Sequence, residues 1–205
     1  MSPHRLSMLL VPALALLFAA PAAAQKSSED KFADLIGKPA PEIADGFALN
    51  GKAVKLADLK GKVVLLDFWA VWCGPCRNTF PHLRDWHDAY KDRGLEVVGI
   101  TTYFEKFGFD KATGKLVNRD GDRLDRKQER EMLSEFASYF DLHYRLYLLS
   151  RSEYKAVAEK YEVEGIPQLV LIDRKGHVRL VQVGAEEDSV KEIGAKIKEL
   201  VAEKD

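Results

Sequence analysis

Two cysteines are all that the 205 residues contain, and both stand in one five-residue stretch, WCGPC, as Cys73 and Cys76. So few cysteines exclude a framework of several disulfides. With no second C-x-x-C and no H-x-x-x-H partner, a four-ligand structural zinc site has too few ligands. A staple is a poor explanation of the pair, because staples stabilise most by closing long loops and this one closes a tiny one. Charge of one sign is lacking too: 31 Lys+Arg stand against 32 Asp+Glu. Without Arg5, which lies in the N-terminal segment discussed next, the balance is 30 against 32, a net charge of −2. Nothing in it points to nucleic acid or an anionic membrane surface. Long apolar runs are also missing. The N-terminal run MLLVPALALLFAA has 13 residues, including Pro12, where a membrane span needs about 20.

That apolar run follows a short basic stretch, MSPHRLS, and precedes the small residues of PAAAQ. The order is that of a secretory signal peptide over residues 1–24, cleaved after Ala24 with Ala22 at the −3 position. No cysteine follows, so a lipid-modified N-terminus is not indicated. Export to the periplasm is the expectation; the alternative is a retained anchor, the one way in which a membrane would be a partner. About 180 residues remain, enough for one domain with a substantial core. The compartment is oxidising, so disulfides can persist in it.

Residues 25–37 are polar and read as a flexible lead-in to a single domain over 38–205. In GFALNGKAVKLADLKGK, Phe47 and Leu49 alternate before Asn50-Gly51, and Val54 and Leu56 after it. This predicts an N-terminal β-hairpin. KVVLLDFWA is a continuous apolar strand of the kind covered on both faces. From Arg77 to Arg93, Phe80, Leu83, Trp86 and Tyr90 recur at helical spacing, with a kink expected at Pro81 and an end at Gly94. LEVVGIT is a second buried strand, and strand–helix–strand order implies a parallel pair. Residues 103–130 break the rhythm with charges and turn signals at Thr113-Gly114 and Asp120-Gly121. They read as an insertion, a surface excursion that does not support the core. It leaves the sheet at the end where ligands gather in open α/β folds, so it is expected to border the site and help choose a partner. Further on, Asp125–Phe140 reads as a helix, RLYLL as a strand and SEYKAVAEKYEV as a helix capped by Ser152. A hairpin turning at Arg174-Lys175-Gly176 and a helix from about Glu186 to Val201 complete the chain.

Positions i and i+3 are neighbours on a helix, so Cys73 just before a first turn and Cys76 within it can bring their sulfurs together. The helix N-terminus favours a thiolate at the first sulfur, and Pro75 suits a helix start. A thiolate at Cys73 can attack a disulfide, and Cys76 can then resolve the mixed disulfide. Asp67 lies in the apolar strand that feeds this turn. Desolvation there raises a carboxyl pKa, which suits an acid that takes the proton of Cys76.

VVLLDFWAVWCGPCR is similar to the active-site segment of thioredoxins. GIPQLVLIDRKGHVRLVQVG resembles the family's second landmark, a cis Ile-Pro peptide facing the cysteines with a hairpin after it. The lead-in and the signal segment resemble the exported TlpA/ResA-like branch, over roughly residues 38–203. The resemblance implies a thioredoxin-like α/β fold, with a central mixed sheet flanked by helices and an insertion after the second core strand. It implies a thiol-disulfide oxidoreductase, a reductase of protein disulfides, with Cys73 as nucleophile and Cys76 as resolving thiol. Trp72, Gly74, Pro75 and cis-Pro167 would frame the site, and Trp72, Ile166, Pro167 and Gln168 would dock substrate. No cofactor and no metal are implied. The partners would be protein disulfides and an upstream dithiol donor, with apocytochrome c, another oxidised protein and a general repair role all open as substrates. Two departures stand out. Gln168 replaces a common Thr, and Asp67 stands where many of the branch have Asn.

Two other chemistries fit the sequence less well. A peroxiredoxin-like peroxidase shares the fold, but its P-x-x-x-T-x-x-C site is not matched, since Ala70 stands three residues before Cys73. A periplasmic copper carrier needs a C-x-x-x-C spacing and a well-placed His. His82, His87, His143 and His177 read as surface residues, NRDGDRLD as a solvated turn rather than a calcium loop, and Trp69 as core.

Overall fold

The computed structural model describes residues 31–203. The signal segment and the first part of the lead-in lie outside them. Among the described residues no helix is long and apolar enough to cross a membrane.

The apolar run at 63–68 forms β2 (Val63–Phe68), buried at every position. It lies between β3 (Leu95–Thr102), parallel to it, and β7 (Gln168–Ile172), antiparallel. Outward from β3 come β6 (Arg145–Leu149), parallel, and β1 (Phe47–Leu49), antiparallel. Beyond β7 lies β8 (Val178–Val183), antiparallel. The order β1-β6-β3-β2-β7-β8 makes a mixed six-stranded sheet.

Alternation along β2 assigns its side chains to two cores. Val63 and Leu65 pack with residues of three helices: α1 (Gly74–Tyr90), α2 (Arg126–Tyr139) and α4 (Glu187–Ala202). Val64, Leu66 and Phe68 pack on the other face with Phe32, Leu35 and α3 (Arg151–Lys160). Covering both faces is what the uninterrupted apolar run requires. Parity sends Asp67 to the α1 face, the side of both cysteines.

Several sequence expectations are corrected here. The N-terminal hairpin does not form. Asn50 and Gly51 do turn the chain, at φ 59° and 150°, but β1 pairs with β6 and Leu56–Leu59 is a 3₁₀ turn. Val54 is tied instead to the Tyr147 hydroxyl, which donates to its carbonyl at 2.8 Å. A buried tyrosine with a hydroxyl to satisfy outcompetes a second edge strand. Residues 31–37 of the lead-in are packed, with Phe32 and Leu35 buried and Gly37 N–H donating to Val178 O at 2.7 Å. The cap of α3 is Ser150, not Ser152, in a capping box with Glu153.

The insertion is not a mere surface excursion. It contains a hairpin of β4 (Phe107–Asp110) and β5 (Lys115–Asn118). The Phe109 ring lies 5.3 Å from that of Phe136 in α2 and 6.3 Å from that of Phe140. Charges conceal this in the sequence, because only alternate residues of a short hairpin face inward.

Candidate active site

The cysteine turn forms where β2 runs into α1. Cys73 is the N-cap, and its sulfur accepts from Cys76 N–H at 3.2 Å. Pro75 falls in the first turn, where its missing N–H leaves nothing unpaired. The two sulfurs are joined in a disulfide of 2.07 Å. Cys76 is fully enclosed and Cys73 nearly so. Gly74 and Pro75 are exposed, and Trp72 is half exposed beside them. The Cys73 sulfur lies 3.7 Å from the Ile166 carbonyl oxygen, close enough for a reduced thiol to donate to it. The Ile166–Pro167 peptide is cis. Gly184 N–H donates to Pro167 O at 2.8 Å and fixes that loop to the end of β8.

Asp67 is fully buried, and neither carboxylate oxygen has a hydrogen-bond partner. Loss of hydration with nothing in exchange pushes its pKa up to about 8. The acid is therefore protonated over much of the neutral range. It can receive a proton near the pKa of an ordinary thiol. Tyr144, also fully buried, has its own pKa raised by desolvation first and by the Asp67 charge second.

Gln168 is a correction. It was expected to dock substrate, but it is completely buried and its amide donates to Tyr161 O at 2.8 Å. Its side chain serves the core. Trp69, read as core, is buried with its ring 5.4 Å from that of Phe80.

Other residues at this end had not been singled out. The Phe104 ring stands edge-on to Trp72 at 5.8 Å, so the insertion borders the cysteine turn. Glu129 is buried and accepts from Phe104 N–H and from Glu105 N–H, the latter at 3.0 Å. Its sequence signal is position: Glu129, Met132, Leu133 and Phe136 share one helical face, and an acid on an apolar face needs a buried partner. Among the described residues one trio is close enough to share an ion: His87, Asp88 and His143. It sits far along α1 from the cysteines, and His143 Nε2 is already 3.0 Å from Asp88. It does not belong to the cysteine site.

The Redoxin family model matches residues 35–197. The chain belongs to the Redoxin family. It is 28% identical over 151 residues to the thiol-disulfide oxidoreductase ResA of Bacillus cereus, covering 73% of this chain and 70% of that protein. A Chlorobium tepidum structure described as a thiol:disulfide interchange protein DsbE matches with TM-score 0.57 and 31% identity, over 82% of this chain and 98% of that one. A thiol:disulfide interchange protein from Bacteroides sp. matches with TM-score 0.58 and 28% identity, over 78% and 88%. With the cysteine pair at its helix start, this Redoxin is a thiol-disulfide oxidoreductase of thioredoxin-like fold.

Proposed function

We propose that this Redoxin is an exported reductase of protein disulfides in which Cys73 attacks and Cys76 resolves. The observation that carries this reading is the Cys73–Cys76 pair at the start of α1, with a buried, unpartnered Asp67 in the strand that feeds the turn. In the dithiol form the Cys73 thiolate attacks one sulfur of a client disulfide. A Cys73–client bond forms, the client S–S bond breaks, and the released client sulfur takes a proton. Cys76 then gives its proton to Asp67 in its ionised form, a minor fraction at pH 7 that grows as pH rises toward 8, and attacks the Cys73 sulfur. The second client thiolate leaves, the Cys73–Cys76 disulfide forms, and the client has gained two electrons. A donor dithiol restores the protein by the reverse exchange. The N-cap position of Cys73, beside exposed Trp72 and Gly74, supports its attacking role, and the place of Cys76 within the first turn its resolving one. The Gly-Pro pair between the cysteines supports the reducing direction by its likeness to thioredoxin, whose potential is about −270 mV. The leader-like N-terminus supports a periplasmic location, where apocytochrome c or another oxidised protein would serve as client.

Trapping tests the assignment. Cys76→Ser should accumulate mixed disulfides with client proteins, and Cys73→Ser should accumulate none. Equal trapping by the two variants would overturn the roles. Turnover of hydrogen peroxide with a dithiol donor, in the absence of disulfide reduction, would move the protein to the peroxidase class.

A further inference from the structure

The turn from Tyr103 to Glu105 is gripped from both sides. On one side Glu129 takes its N–H groups: Phe104 N–H and Glu105 N–H each donate to one carboxylate oxygen. On the other side Arg151 takes its carbonyls, with Nε donating to Tyr103 O at 3.2 Å and Nη2 to Phe104 O at 3.1 Å. Two further bonds close the grip. Arg130 Nε donates to the Tyr103 hydroxyl at 2.9 Å, and Leu124 N–H donates to Glu105 O at 2.7 Å. Glu105 has φ 63°, a left-handed conformation that a non-glycine residue adopts at a cost. Backbone held this firmly in an unfavourable conformation calls for a reason beyond joining a strand to a hairpin.

The reason is what the turn carries. Phe104 is only partly buried, and its ring meets Trp72, the half-exposed residue next to Cys73. Phe107 continues the line at 6.1 Å from Phe104, with Lys106 Nζ over its ring at 5.2 Å. An indole left half in water beside a reactive sulfur is free to reorient unless a neighbour backs it. Phe104 is that neighbour, and its position is set by a carboxylate in α2 and a guanidinium in α3. We infer that Glu129 and Arg151 are positioning residues for the exchange reaction: they hold Phe104 behind Trp72, and the aromatic wall so formed beside Cys73 favours client disulfides whose cysteine is flanked by an apolar side chain. This rests on the proposed function, since it concerns clients reaching the same sulfur. Neither residue touches the client. Both act through Phe104.

The test uses the full chain and two cyclic peptide disulfides that differ only in the residue after one cysteine, Phe against Ser. Their kcat/KM values are measured with an excess of donor dithiol. The wild type should prefer the Phe peptide by about fivefold through KM, the size of one aromatic contact. Glu129→Gln puts an amide NH₂ or a single acceptor where two N–H groups must be met, and should bring that ratio close to one while leaving kcat in place. Arg151→Gln removes an exposed side chain that the core does not need, and should lower the ratio in the same direction. In a Phe104→Ala background neither substitution should change the ratio further, because the residue through which both act is gone. A general loosening of the fold would lower both peptides equally and persist in that background. An unchanged ratio in folded Glu129→Gln and in Arg151→Gln overturns the inference alone. A wild type that reduces neither peptide removes the proposed function and this inference with it.

Discussion

Two carboxylic acids are buried on either side of the cysteine turn in the chain, in two regions that treat them oppositely. At the end of β2, Asp67 has no hydrogen-bond partner at all. At the start of α2, Glu129 receives two backbone N–H groups. Desolvation raises both pKa values, but at Glu129 the donated hydrogen bonds pull back toward the charged form and at Asp67 nothing does. The difference separates two uses of a buried acid. A satisfied carboxylate holds backbone in place. An unsatisfied one costs stability and is retained for what its proton can do.

The comparison predicts opposite signs on mutation. The largest effect belongs to Glu129→Ala, which leaves two partly buried N–H groups unpaired. At about 1–3 kcal/mol for each orphaned group, urea denaturation should show a loss of several kcal/mol. A loss below about 1 kcal/mol would mean that water reaches the turn and that the two acids are not so different. Next comes Phe109→Ala. Truncating a packed phenylalanine costs about 3 kcal/mol, so thermal unfolding of this variant should show whether the insertion supports the core. Asp67→Asn acts on rate: release of the mixed disulfide at pH 7 should slow by at least about tenfold, the loss of a general base, seen as slower decay of the trapped species. The smallest effect is a surface control. Asp88 is exposed, and its pKa is lowered first by the hydrogen bond to His143. Asp88→Asn should leave the melting temperature where it is, since exposed pairs contribute little.

The same contrast explains what could be read from the chain alone. The cysteine turn, the parallel strand pair and the burial of Asp67 follow from local pattern: one apolar run, one helix start, one acid among aliphatic residues. The lost hairpin and the packed residues at 31–37 depend on partners far along the chain, Tyr147 and Val178 among them, and the inward turn of Gln168 on a carbonyl in the preceding loop, that of Tyr161. Periodicity carries no information about such partners. The insertion failed for a different reason. Phe107 and Phe109 alternate over only four strand residues, and Phe104 lies outside the strand, so the anchoring of this stretch to Trp72 and Phe136 was hidden. Glu129 was legible as an acid on an apolar helix face, although its partners were not.

The claim that matters most is that Asp67 is carried into the fold against its preference, and stability against pH tests it directly. The folded pKa of about 8 lies above the ordinary aspartate value of 3.8, so the folded state binds the extra proton between these values. Stability should therefore fall as pH rises through that window, and Asp67→Asn should escape the fall. The account predicts that the variant is the more stable protein at pH 8, by a margin that shrinks by up to about 1.4 kcal/mol for each pH unit toward 4. Two unfolding curves that keep the same separation from pH 4 to 8, or a variant less stable than the wild type at pH 8, would contradict it.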